Sequence, residues 1–431
     1  MKVNIFWFRR DLRLEDNTAL KLALLKNKNI LPIFIFDNNI TDSLPEDDAR
    51  ISFIYYQLSK IDMLLKQHSS SLLVLKGDPV KVFEKLIKEY SVNSISCNRD
   101  YEPYAIKRDN NVANFLKNHS IEFTQSKDSV IFEPHEVLKD NGEPYTVYTP
   151  FKNKWLQKFK SYEMISDTQL SLTNLLNFTN DFPSLNFLDF EQSKINVRDY
   201  DLNNINHYAQ SRDFPSTDAT SYLGIHLRFG TVSVRTIISK LSGNDSVFLS
   251  ELIWREFFMQ ILFHFPKVVN HNFKAKYDGI KWRNNKEEFT KWCNGETGYP
   301  IVDAGMKQLN QTGYMHNRVR MIVAGFLCKH LLIDWRWGEK YFASKLLDYE
   351  LASNNGNWQW AAGTGCDSAP YFRIFNPFTQ QKKFDGDFKY VKKWINNFNQ
   401  ETYIPFIVDH KIARARALSG YKDGIDASFN S

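Results

Sequence analysis

Three stretches of this chain carry residue types at spacings that could do chemistry. The first, Phe248 to Phe263, reads FLSELIWREFFMQILF. At helical spacing Glu251, Trp254, Arg255 and Phe258 fall on one face. That stripe sets a carboxylate, an indole and a guanidinium beside a hydrophobic body. On residue types alone, the stronger reading is a buried amphipathic helix with a salt-bridged edge. The second stretch, Met315 to Leu327, reads MHNRVRMIVAGFL and puts Asn317, Arg320, Met321 and Ala324 on a shared face. Asn and Arg there could read a base or a phosphate, or Arg320 could pair with a buried acid. The third, Leu347 to Trp360, reads LDYELASNNGNWQW. Its residue types suggest a helix end and a polar turn, which strains to explain so many Asn and Trp together. The GTG that follows at 363–365 is a lone GxG after no clear strand.

These groups need elements to position them. The first 130 or so residues alternate strand and helix patterns. Lys2 to Phe8, Asn29 to Phe36, Ser71 to Leu75, Ser94 to Cys97 and Ile121 to Thr124 read as short strands. Helix-period stretches lie between them at about 47–66, 80–90 and 104–118. The pattern predicts a doubly wound parallel sheet. From about 162 to 205 the chain turns polar and irregular, too long a connection for the inside of one compact domain. Helix signals dominate from about 206. The expected organisation is an α/β domain over 1–131, a connecting segment and linker over 132–205, and an all-helical domain over 206–431. No GxGxxG opens the first helix, and GxxxxGK[ST], HExxH and GxSxG are absent, so ordinary dinucleotide, P-loop, metalloprotease and hydrolase readings lack support.

Composition narrows the class further. The 431 residues are 43% apolar and 24% charged, a globular balance in a chain long enough for large cores. Four cysteines, at 97, 293, 328 and 366, form no CxxC pair, which argues against a zinc ribbon and for a reducing, cytoplasmic setting. The start has too short an apolar run for a secretory signal. No run approaches a membrane helix, so a soluble protein with no membrane partner is expected. The net charge is +6, and residues 201–431 hold 29 Lys and Arg against 22 Asp and Glu. The whole basic excess lies in the second half, which fits a polyanionic partner docking there.

Laid end to end, the motifs resemble the photolyase/cryptochrome family, and specifically class I cyclobutane pyrimidine dimer photolyases. FWFRRDLRLEDN at the start, YTPFKNKW at 148–155, RDFPSTDATSYLGIHLRFG, ELIWREFF, TGYPIVDAGMKQLNQTGYMHNRVRM, LLIDWRWGEKYF, LLDYELASNNGNWQWAAGTGCDSAPYFRIFNPFTQ and VDHKIARARAL follow in family order. The resemblance covers essentially the whole chain. It implies an N-terminal α/β domain that can carry an antenna chromophore, and a helical domain holding FAD. It also implies light-driven repair: reduced, anionic flavin gives an electron to a dimer flipped from DNA and recovers it.

The resemblance also implies roles for particular residues. Trp254 and Trp360 match the two dimer-contacting tryptophans, and Glu251 the carboxylate that hydrogen-bonds the dimer. Asn317 and Met321 match pocket residues beside it. Arg212, Arg318 and Gln380 match DNA contacts. Tyr208, Thr220, Ser221, Tyr222, Leu223 and Gly224 match the flavin phosphate and ribose cradle, with Arg255 at a phosphate contact. Asp348, paired with Arg320, matches the acid at the isoalloxazine edge, within the segment that holds Tyr349 and Glu350. Asn354 matches the asparagine facing flavin N5, where a neutral amide suits the reduced anion and plant cryptochromes carry an acid. Trp358, Trp335 and Trp282 match the chain of tryptophans that refills oxidised flavin.

The sequence departs from the family pattern at four places. Gly224 replaces a serine of the phosphate cradle, and Glu350 stands where many relatives have aspartate. Tyr104 and Ala105 occupy the places where folate-binding relatives carry Asn and Glu, so folate as a second chromophore is not expected by that mode. A deazaflavin or another flavin stays open, as does no antenna at all. Two other activities compete with dimer repair. A cryptochrome-like photosensor usually carries a long C-terminal extension, and only a short tail follows VDHKIARARAL. A (6-4) photoproduct enzyme needs a histidine acid, and His316 sits in the arrangement of the cyclobutane class. A monomer acting on pyrimidine-dimer DNA is the expectation.

Overall fold

The computed structural model describes residues 2–162 and 171–429, so part of the expected linker, 163–170, lies outside the described residues. Five strands form one parallel sheet: β1 (Lys2–Phe8), β2 (Ile30–Asp37), β3 (Leu73–Gly77), β4 (Ser91–Asn98) and β5 (Glu122–Ser126), in spatial order β3-β2-β1-β4-β5. The reversal of order at β1 makes the sheet doubly wound. Strands β1 and β2 are nearly continuous apolar runs because both faces are covered. Four helices serve as crossovers: α1 (Thr18–Lys26), α2 (Ala49–Lys66), α3 (Pro79–Glu89) and α4 (Pro103–Asn118).

Two local outcomes differ from the sequence reading. Helix α1 escaped it because TALKLALLK has no narrow apolar stripe. The Asn17 side chain caps that helix by accepting from the Leu20 N–H, and Ala19, Leu20, Ala23 and Leu24 are buried. Strand β4 extends beyond SISC at both ends. Its buried polar groups are satisfied: Ser94 Oγ donates to Asn4 Oδ1 at 2.7 Å and Asn98 Nδ2 to Asp11 Oδ2 at 2.6 Å.

The chain divides into two compact units. The first comprises Met1–Glu136, Gln157–Asp199 and Leu223–Ser242, and the second Val137–Leu156, Tyr200–Tyr222 and Gly243–Ser431. Within the first, the 223–242 segment is tied in by Arg235, which reaches the buried Asp128 carboxylate at 2.7 Å. Gly230, at φ +62°, allows a close backbone approach: a Cβ there would lie 2.1 Å from the Arg10 carbonyl oxygen.

The second unit is helical. Its main elements are α5 (Ser246–His264), α6 (Pro300–Thr312), α7 (Asn317–Gly325), α8 (Trp335–Lys345), α9 (Leu351–Ala362), α10 (Pro377–Phe384), α11 (Lys389–Trp394) and α12 (His410–Phe429). A five-residue π-helical stretch, Phe326–His330, prolongs α7. The polar turn suggested for 347–360 is corrected here, since most of that segment is helix α9. Tertiary partners override its weak propensity. Asn355 and Gln359 both donate to the Val268 carbonyl at 2.9 Å, and Gly356 lies against the Phe258 ring.

Candidate active site

A pocket with about 600 Å³ of empty space, open to solvent, lies within the second unit. Asn317, Arg320 and Met321 reach it from α7, Asp348, Tyr349 and Glu350 from the preceding loop of α9, and Asn354, Trp358 and Trp360 from α9 itself. Nine residues singled out in the sequence thus share one wall system.

Local chemistry explains how each is held. His316 caps α7, its Nδ1 accepting the Arg318 N–H at 3.2 Å. Burial, reinforced by the Arg320 charge, pushes the imidazole down to about 4, so it stays neutral and keeps its acceptor lone pair. Arg320 donates through Nε to the Met315 carbonyl at 2.7 Å and through its two terminal nitrogens to Asp348 at 3.2 and 2.8 Å. Burial pulls the proton affinity of Arg320 down, but the Asp348 carboxylate more than reverses this. Glu350, buried at the head of α9, takes Arg255 at 3.2 Å and the Ser353 hydroxyl at 2.9 Å. A Cβ on Gly356 would lie 2.1 Å from Phe258, so α5 and α9 pack closely at that glycine.

Asn354 is fixed by a residue that the sequence reading missed. Its Nδ2 donates to both the carbonyl and the carboxyl Oε1 of Glu339, at 3.1 and 2.9 Å. Among the described residues no donor reaches Asn354 Oδ1, so the acceptor end of the amide is open. Burial raises the Glu339 carboxyl above the usual range, an effect the Asn354 bond partly offsets. The available signal was a lone acid one helical turn beyond Trp335.

The Glu251–Trp254 face lies outside the pocket's lining. Trp254 stacks flat on Tyr148, with ring centroids 3.6 Å apart and planes 9° from parallel. Tyr148 is itself held by its hydroxyl donating to the Ser250 carbonyl at 2.7 Å and its N–H to Asp367 at 3.0 Å. This tyrosine too was not singled out. Glu251 accepts from Arg212 at 2.6 Å, and the Arg212 guanidinium lies 5.1 Å over the Tyr208 ring. Arg318 pairs with Asp213 at 2.6 Å and lies 4.4 Å over Phe384. Gln380 is half-buried on α10 and does not line the pocket.

The cradle residues are placed separately. Thr220 accepts from the Tyr314 hydroxyl at 3.1 Å, the Ser221 carbonyl accepts from the Asp201 N–H at 2.9 Å, and Tyr222 donates to Asp218. Tyr222 adopts a left-handed backbone at φ +52°, a strained choice for an aromatic residue. Leu223 is buried and Gly224 exposed at the start of the 223–229 helix, which belongs to the first unit. Of the three tryptophans, Trp335 and Trp358 are buried in one core cluster and Trp282 packs against it. Gly338, one turn after Trp335, lies directly against the Trp358 indole. In the first unit, the Tyr104 hydroxyl donates to Asp37 at 2.5 Å and Ala105 is buried.

Comparison with known proteins agrees with this arrangement. Residues 4–170 match the family model described as DNA photolyase, and residues 248–402 the one described as FAD binding domain of DNA photolyase. The chain is 36% identical to the deoxyribodipyrimidine photo-lyase of Escherichia coli, over 98% of this chain and 99% of that one. Among solved structures it is similar to a class III photolyase from Agrobacterium tumefaciens, with 32% identity, a TM-score of 0.86 and 98% of both chains covered. It is also similar to an archaeal photolyase from Sulfolobus tokodaii with two FAD molecules, at 34% identity and a TM-score of 0.84, covering 98% of this chain and 100% of that one. With a shared doubly wound sheet, a shared helical unit and full-length similarity above 30%, the chain belongs to the DNA photolyase family.

Proposed function

We propose that this chain is a deoxyribodipyrimidine photo-lyase, a carbon–carbon lyase that uses light and FAD to reopen cyclobutane pyrimidine dimers in DNA. The observation that carries the reading is the convergence of α7, the 346–350 loop and α9 on one pocket. Its donor set fits a reduced flavin. The open Asn354 Oδ1 could accept an N–H of a bound reduced flavin, and its amide offers no acidic proton. The Arg320–Asp348 pair supplies both a charge-assisted donor and an acceptor for the polar edge of the ring. Tyr208, Thr220, Ser221, Tyr222 and Arg255 would serve the phosphate and ribose end, and Tyr349 and Glu350 would complete the ring side.

When bound, reduced and excited by blue light, FAD supplies the electron that opens the dimer and takes it back, with no net redox change. The chain's residues set the conditions. Flipping a dimer out of the duplex gives up stacking worth a few kcal/mol. Trp254 and Trp360 replace that stacking with indole walls, and Tyr148 holds Trp254 in one orientation in advance. Glu251 supplies the carboxylate that steadies the dimer, and Asn317 and Met321 fill the pocket beside it. Arg212, Arg318 and Gln380 meet the DNA backbone. Trp282, Trp335 and Trp358 pass electrons inward from the surface. A neutral, capping His316 is a poor acid, which supports cyclobutane dimers over (6-4) photoproducts as the substrate.

The enzyme acts as a cytoplasmic monomer. Among the described residues no helix is long and apolar enough to cross a membrane. If a second chromophore binds, the absence of an amide and a carboxylate at Tyr104 and Ala105 points away from folate held by that mode, and a deazaflavin or another flavin stays open. The test is repair of a thymine-dimer oligonucleotide by purified, reduced protein under blue light, with a dark control. Intact thymines formed only in light support the reading. No repair with FAD bound and reduced overturns it and moves the (6-4) substrate and a photosensor ahead.

A further inference from the structure

A second, larger hollow lies in the helical unit away from the pocket described above, with about 1130 Å³ of empty space open to solvent. Its walls are aromatic: Phe378 from α10, Phe388 before α11, and Tyr403 and Phe406 from the following loop. Phe378 and Phe406 are 48% and 51% exposed. Both rings pack on buried Tyr299, at centroid distances of 5.0 and 5.9 Å.

The frame holding them is rigid. The Tyr403 hydroxyl donates to Asp303 at 2.8 Å, and the Ile407 N–H donates to the Thr297 carbonyl at 2.9 Å. Gly298, at φ +82°, lets the loop backbone press in, since a Cβ there would lie 2.4 Å from the Phe406 Cα. The aromatic faces are therefore presented to solvent by a fixed scaffold.

The exposed charge near this groove is mostly basic, with Asp387 and Glu401 as exposed acids of the same segments. Helices α10 and α11 expose Lys382, Lys383, Lys389, Lys392 and Lys393. The nearby Asp385 is buried and caps α11 through the Tyr390 and Val391 N–H groups, at 2.8 and 3.0 Å. Asp387 contacts only Lys389, at 3.8 Å, and Lys393 reaches Asp218 at 4.0 Å. Lys382, Lys383 and Lys392 meet no carboxylate among the described residues.

Exposed rings beside unneutralised lysines are the elements of a single-strand nucleic-acid site, in which bases stack and phosphates track the charge. A duplex keeps its bases stacked on each other and would leave the rings idle. We infer that the groove between α10 and the 403–406 loop binds a short unpaired stretch of DNA, undamaged and independent of the flavin pocket.

The experiment measures fluorescence anisotropy of a labelled oligothymidylate and of an undamaged duplex, in the dark, with the full-length FAD-bound protein. Phe378→Ala with Phe406→Ala is expected to weaken oligothymidylate binding by roughly tenfold or more, the scale of base–aromatic stacking. Duplex binding should change less than twofold. Lys382→Gln with Lys392→Gln should lower the salt slope for oligothymidylate by about 0.7 for each phosphate no longer neutralised. Both aromatic positions are exposed, and flavin absorbance and circular dichroism check folding. Phe378→Trp with Phe406→Trp should preserve binding. Unchanged oligothymidylate affinity in the double alanine variant overturns the inference, as does an equal loss for duplex and single strand. Since no lesion or light is used, failure here leaves the repair reading intact.

Discussion

Replacing Gly338 by alanine tests how tightly the tryptophan core is built. Two effects oppose each other. Alanine in a helix interior is favoured over glycine by about 1 kcal/mol. Against this, a Cβ at 338 would lie 2.1 Å from Cη2 and 2.5 Å from Cζ3 of Trp358, and 2.6 Å from Leu327 Cδ2. Ordinary carbon contacts are about 3.5–4.0 Å. Trp358 is only 2% exposed and Leu327 fully buried, so neither can retreat into solvent. Overpacking of this kind costs about 1–3 kcal/mol and at times more. With an overlap of about 1 Å or more on two sides, the upper part of that range applies. The expected net effect of Gly338→Ala is a loss of about 1–2 kcal/mol, with a displaced Trp358 indole. Urea unfolding followed by tryptophan fluorescence reads the stability, and near-ultraviolet circular dichroism reads the indole's surroundings. A slower photoreduction of bound flavin should accompany the displacement. If the variant is as stable as the parent or more so, with an unchanged near-ultraviolet spectrum, the close packing of α8 on α9 deduced above is wrong.

Three further outcomes are expected. Trp254→Ala should weaken binding of a dimer-containing oligonucleotide by about tenfold or more while FAD absorbance is retained; unchanged lesion affinity would remove Trp254 from the site. Trp358→Phe should abolish photoreduction yet spare repair when the flavin is reduced chemically, and normal photoreduction would mean that electrons take another path. His316 titrates at about 4 in the folded protein against an ordinary 6.5. Between those values the unfolded chain takes up a proton that the folded one refuses. Stability should therefore fall as pH drops from about 6.5 towards 4, by up to about 3 kcal/mol from this group. His316→Asn, which caps but does not titrate, should shrink the difference between urea midpoints at about pH 7 and about pH 5; an unchanged difference would show that His316 is not the group responsible.

Much of the architecture was legible in the order of residues alone. Parallel strands buried on both faces read as unbroken apolar runs, which is why β1 and β2 stood out. Strand β4 was seen only in part because its serines and asparagines look like loop. They are tolerated inside because Asn4 and Asp11 on neighbouring elements satisfy them. Helix α9 was obscured for a similar reason. Its asparagines and glycine are poor helix formers in isolation, and they belong there because Val268 and Phe258 meet them from elsewhere in the fold.

The candidate site divides along the same line. Helical periodicity groups Glu251 with Trp254 and Asn317 with Arg320, whereas Asp348, Asn354 and Trp360 are marked by the resemblance to the photolyase family. Periodicity says nothing about residues far apart in the chain. That Arg212 sits on Glu251, that Glu339 turns the Asn354 amide, and that Tyr148 lies flat against Trp254 are consequences of packing between distant segments. The order of the chain decided which chemical groups are present and which share a face. Only the tertiary structure decided which of them meet, because a hydrogen bond or a ring stack needs its partner within a few ångströms, whatever the distance along the sequence.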